Sequence, residues 1–135
     1  MRKLRTVGVI GLWALQVLVA ALFVVIGIAK FGDPAWARNF ARWGYPSGFY
    51  MVIGALEVIG GIGLLVRSVA TYAAALLGVI MIGASATHLL HNEMHRVAGP
   101  LMYLAVLTVI GIGRLRTAAR PSLLAGRAAP GLDRV

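Results

Sequence analysis

Long apolar runs alternate with short polar links along this chain. Val7 to Ala29 carries no charge, and Gln16 is its only strongly polar side chain. As a helix at 1.5 Å per residue this run reaches ~34 Å, enough for a hydrocarbon core of ~30 Å. A secretory leader is the other reading of a basic start followed by an apolar run. The run is longer than a leader core, however, and no small-x-small cleavage site precedes Lys30, so a retained span is expected. Further apolar runs cover about 49–66, 70–90 and 97–113. The link Arg67-Ser68-Val69 is short and sets the second and third spans antiparallel. The pattern predicts an all-α integral membrane four-helix bundle, with spans at about 7–29, 49–66, 70–90 and 97–113.

Between the first two runs, Lys30 to Gly48 has mixed character, with Trp36, Trp43 and Tyr45 spread along it. Aromatic side chains at this density between spans belong at the headgroup level. Asp33 followed by Pro34 is a helix start, which predicts a short interfacial helix over about 34–43. The turn Gly44-Tyr45-Pro46-Ser47-Gly48 follows. Trp43, Tyr45 and Pro46 are read either as a plain turn with interfacial anchors or as a lid over the mouth of the bundle. Residues 1–113 form one membrane domain, and 114–135 read as a basic, mobile tail after one more helical turn.

Composition agrees with a membrane setting. Of 135 residues 60% are hydrophobic and 13% charged, far from the balance of a soluble domain. The net charge of +9 raises nucleic acid as a partner, but the basic residues cluster at the ends of the spans rather than on a soluble face. Nucleic acid is therefore not an expected partner, and the lipid bilayer is. Arg2, Lys3, Arg5, Arg67 and the basic residues from Arg114 onward lie on one side of the four-span scheme; Lys30, Arg38, Arg42 and Arg96 lie on the other. The asymmetry predicts cytoplasmic termini in a bacterial-type inner membrane. The absence of cysteine excludes dithiol chemistry and thiolate metal sites.

The candidate chemistry centres on Glu57, an acid within the apolar run Ile53 to Leu65. An ionisable group in a span needs a partner, and it marks function by default. On a helix, Gly54, Gly60 and Gly61 share the face of Glu57, so neighbouring backbones approach closely and enclose the acid. Lys30 ends the first span and His88 sits near the end of the third. In the antiparallel scheme both fall in the same half of the membrane as Glu57, about 12 Å below the boundary. Lys30, Glu57 and His88 are thus candidates for binding a ligand or handling protons, against a purely structural pairing that locks the helices. His88, His91 and His95 would align only if the third helix continued through them. The acid in His91-Asn-Glu-Met-His95 is displaced from its place in the zinc-protease signature, so neither metal nor haem is expected.

Gly27-x-x-Lys30-Phe31, Trp43-Gly44-x-Pro46, Ala55-x-Glu57-Val58-x-Gly60-Gly61-x-x-Leu64-Leu65 and Ala84-x-x-x-His88 together resemble the DoxX and DoxX-like membrane proteins, from about Val7 to Gly113. The resemblance implies a small four-helix inner-membrane protein. Some members are linked to quinone-dependent oxidation of sulfur compounds or to membrane complexes that counter oxidative stress. Animal relatives look like assembly factors for other membrane proteins. Lys30, Glu57 and His88 are the polar positions shared with the family pattern. The leading expectation is a redox-linked accessory that binds a lipophilic ligand such as a quinone in the outer half of the bundle, with electrons supplied by a membrane redox partner. The alternative is a non-enzymatic chaperone or complex subunit, or a homo-oligomer, whose glycine-rich faces dock other helices. Transport is weakly supported, because no repeat of broken helices is present.

Overall fold

In the computed structural model, which describes residues 2–118, five helices follow one another: α1 (Arg2–Gly32), α2 (Pro34–Arg42), α3 (Phe49–Leu65), α4 (Ala70–Leu90) and α5 (Met94–Ala118). Helices α1, α4 and α5 are long and apolar enough to cross a membrane. The helix α3 is equally apolar but has 17 residues, or ~26 Å of length, slightly less than a typical hydrocarbon core. The expected spans coincide with these four helices, the second running one residue past α3 at Val66. The first and last are longer than expected, because α1 runs through Lys30 to Gly32 and α5 starts ahead of Val97.

Local chemistry explains the breaks. The Asp33 carboxylate accepts a hydrogen bond from the Ala35 backbone N–H at 2.8 Å, and Pro34 occupies the first turn of α2. This is the expected start, and it satisfies a donor that the helix itself leaves open. Gly44 and Gly48 take positive φ, +78° and +82°, in the turn that reverses the chain from α2 into α3. The link from α4 to α5 turns at Asn92, with φ at 58°, a conformation asparagine tolerates better than most residues.

The helices α1 and α3 pack together along their length, as do α4 and α5, and α3 against α4 joins the two pairs. Contact between α1 and α5 is slight. The core between them is built on Phe23, Leu64, Leu77, Leu107 and Ile110, all almost wholly buried. Close approach of α1 to α3 depends on small residues. A methyl group on Gly27 would meet the Gly54 carbonyl oxygen at 2.6 Å, and one on Gly54 would meet the Gly27 carbonyl oxygen at 2.8 Å. Gly61 faces the Ala20 backbone in the same way, while Gly60 accommodates the Leu77 side chain. The outward faces are apolar too, with Val25, Ile59, Val79, Ile82 and Val109 all exposed. Helices apolar on every side belong in lipid.

The further helical turn expected beyond Gly113 is present, since α5 continues to Ala118. Within it Arg114 is only 7% exposed. It is anchored by Gln16 of α1, which accepts from Arg114 Nε at 2.7 Å. The tail expected beyond it, from Ala119 to Val135, lies outside the described residues.

Candidate functional site

Lys30 lies in the last turn of α1, where a cation also suits the helix dipole. The close contact of Gly27 with Gly54 brings its side chain against α3. There the Lys30 ammonium donates to Glu57 Oε2 at 2.5 Å, with both side chains about 4% exposed. The ammonium also lies 4.1 Å from the centroid of the Trp36 ring, so a cation–π contact adds to the ion pair. Buried charges are retained in pairs because desolvating either alone is far more costly. Of the two candidate neighbours of Glu57, Lys30 and His88, it is Lys30 that pairs with it.

His88 has a different partner. Its Nδ1 lies 2.8 Å from Glu93 Oε2, and its ring meets Trp43 edge-on with centroids 5.3 Å apart. Glu93 also receives a hydrogen bond at 2.5 Å from Arg42 at the end of α2, and Arg96 stands 3.9 Å away. The His88 hydrogen bond above all, then Arg42 and Arg96, holds the Glu93 carboxyl below the usual carboxylate range. The enclosed indole N–H of Trp43 has no well-formed hydrogen bond, but it leans towards the same carboxyl and pulls in the same direction. His91 instead approaches the Thr87 carbonyl oxygen. Because α4 ends at Leu90, the three histidines do not continue along one helix.

The Lys30–Glu57 pair and His88 border one cavity of about 380 Å³. Phe23, Ile53, Met81 and Tyr103 supply apolar wall, and Lys30, Glu57 and His88 all contribute to its lining. Helix α2 and its following turn cover it: Trp36, Phe40, Trp43 and Tyr45 line it from that side. Phe40 is the buried hub of this cover, with Trp43, Tyr45, Phe49 and Tyr50 rings around it. Tyr45 closes the cover onto α4 through a 2.6 Å hydrogen bond between its hydroxyl and that of Thr87. Pro46 is exposed and takes no part in the lining. Gly99 and Pro100 border the cavity on α5; the proline has no N–H to close the helix there.

The sequence reading missed Glu93, Arg42, Phe40 and Thr87. A carboxylate in a six-residue link with five polar residues gave no signal of its own. Its one hint was proximity in sequence to His88, five residues earlier.

Small size, an all-helical bundle with lipid-compatible outer faces, and a partly open apolar cavity bordered by buried ionisable groups define a polytopic membrane protein with a small-molecule-sized chamber. The model of the DoxX-like family matches residues 14–111, and the chain belongs to that family. The matched stretch runs from within α1 almost to the end of α5 and contains every cavity residue named above. Neither curated proteins nor solved structures gave a match.

Proposed function

We propose that this membrane protein holds a lipophilic molecule with paired hydrogen-bonding oxygens, of the quinone class, in the cavity beneath α2. The observation that carries this reading is that Lys30, Glu57 and His88 all line one apolar chamber of about 380 Å³, Lys30 and Glu57 paired with each other and His88 held from outside the lining by Glu93. Apolar walls suit a ring and its hydrocarbon substituents, while a few fixed polar groups set orientation. Lys30 and His88 are the available donors to ligand oxygens. Glu57 and Glu93 keep those donors in place, and Glu57, which lines the cavity, takes a proton when a ligand oxygen loses one and returns it when the oxygen gains one. With no cysteine in the chain, redox equivalents would come from a membrane partner. The charge asymmetry supports cytoplasmic termini in an inner membrane, with the cavity in the outer half.

The test is direct titration with a short-chain quinone. Glu57→Gln and His88→Gln should each weaken binding by about tenfold, the usual effect of losing a hydrogen bond involving a charged group. Unchanged affinity in both folded variants would remove the ligand site. The chaperone or subunit alternative relied on glycine faces free to dock other helices. Gly54, Gly60 and Gly61 instead meet α1 and α4 of the same chain, which favours the ligand reading. Recovery of a stable crosslinked partner with function indifferent to Glu57→Gln would reverse that preference.

A further inference from the structure

At the end of the bundle away from α2, a second polar cluster has a different composition. Gln16, fully buried in α1, donates to the Leu64 carbonyl oxygen of α3 and accepts from Arg114 of α5. That contact occupies Arg114 Nε. Its Nη2 is enclosed and has no acceptor. The guanidinium lies 4.2 Å from the centroid of Trp13, and the guanidinium of Arg67, exposed in the α3–α4 link, lies 5.5 Å from the same ring. The two cations are close enough to repel each other.

Nothing described at this end balances them. The chain has four acidic residues. Asp33, Glu57 and Glu93 lie at the α2 end, and Asp133 falls outside the described residues. A guanidinium that is 7% exposed, with no counter-charge among the described residues and with Nη2 lacking an acceptor, is costly in this setting. Planar, donor-rich guanidinium groups match phosphate oxygens, and basic pockets at helix ends are suited to lipid headgroups.

We propose that Arg67 and Arg114, arranged around Trp13, form a phosphate-binding site, filled by the headgroup of an anionic lipid. The surroundings favour a lipid over free phosphate. Ile10, Val66, Val69 and Leu115, each within three residues of Trp13, Arg67 or Arg114 in sequence, are exposed and apolar. They offer acyl chains a surface that inorganic phosphate does not need. The site is independent of the cavity beneath α2.

The experiment is native mass spectrometry of the full chain released from vesicles of equimolar phosphatidylglycerol and phosphatidylcholine. Two arginines near a headgroup should enrich retained phosphatidylglycerol by roughly thirtyfold, and Arg67→Gln should lower that by about fivefold. Because Arg67 is exposed, this variant should keep the helical circular dichroism of the parent. Equal retention of the two lipids, or a preference that Arg67→Gln leaves intact, overturns the proposal. Adding millimolar inorganic phosphate distinguishes the sources: retained lipid supports the headgroup, and its release assigns the same arginines to free phosphate. Asp133→Asn tests an internal counter-ion. Unchanged selectivity in that variant supports the lipid site, whereas selectivity appearing only in that variant overturns it.

Discussion

Glu57 and Lys30 show what one buried pair does for a bundle this small. Removing one partner leaves the other charge stranded, a change that typically costs about 3–5 kcal/mol. Glu57→Gln should therefore lower the thermal midpoint in detergent markedly. A double replacement, Lys30→Met with Glu57→Leu, should recover much of that loss, since an apolar pair in place of a buried ion pair is often neutral or better. A double variant as unstable as the single one would mean that the pair itself holds the fold. The sequence showed that Glu57 in its apolar run needs a partner and offered Lys30 and His88 as candidates; the structure chose Lys30. The same logic applied to Gln16, whose partner Arg114 is 98 positions away, yet a span-flanking arginine looked like an ordinary topology signal.

Glu93 behaves differently because it lies in a link, outside the spans. Its pKa is lowered in the folded protein, principally by His88. The folded state thus holds the ionised form more tightly than the unfolded chain does. The resulting stabilisation is fully present above the ordinary value near 4.5 and disappears as pH falls through the lowered folded value. A pH series of thermal midpoints should show wild type above Glu93→Gln at neutral pH and the two converging in acid. A constant gap down to the lowest pH would show that the Glu93 charge is not what matters. Arg42 lies 51 positions from Glu93, and no periodic pattern connects the two, which explains why this clamp was not legible beforehand.

At the scale of the helices, the apolar runs were readable because a span needs length and hydrophobicity more than any particular residue. The boundaries were less so: the charged ends of α1 and α5 remain helical, since Lys30 and Arg114 find partners inside the bundle instead of stopping the helix. Spacing showed that the glycine face of α3 would pack closely against a neighbour; that α1 is that neighbour came from the structure. Gly27 and Gly54 face each other across the α1–α3 contact with backbone oxygens in the way of any added methyl. Gly27→Ala and Gly54→Ala should each destabilise by about 1–3 kcal/mol, as overpacking does. Gly8→Ala and Gly11→Ala meet open space and should leave the thermal midpoint unchanged or slightly raised. Equal effects at all four positions would show that helix propensity, not interhelical clearance, governs these glycines. Helix α2 was expected from Asp33-Pro34 and the aromatic density. A lid was one of two readings of the Trp43, Tyr45 and Pro46 turn; that α2 itself lies over a chamber came from the packing of Phe40 and from Tyr45 reaching Thr87.

For the whole molecule, the two polar centres lie at opposite ends of one apolar bundle. One is a chamber with paired charges under an amphipathic helix, and the other a pair of cations around Trp13. The family match fixes the kind of protein; the ligand is inferred from the chamber. Mass spectrometry of lipophilic molecules retained by the purified full-length protein tests that inference most directly. Wild type should carry a quinone-class molecule in near-stoichiometric amount, and folded Glu57→Gln and His88→Gln should carry much less. Wild-type protein that retains only bulk phospholipid, with no quinone-class species enriched over the detergent extract, would contradict it.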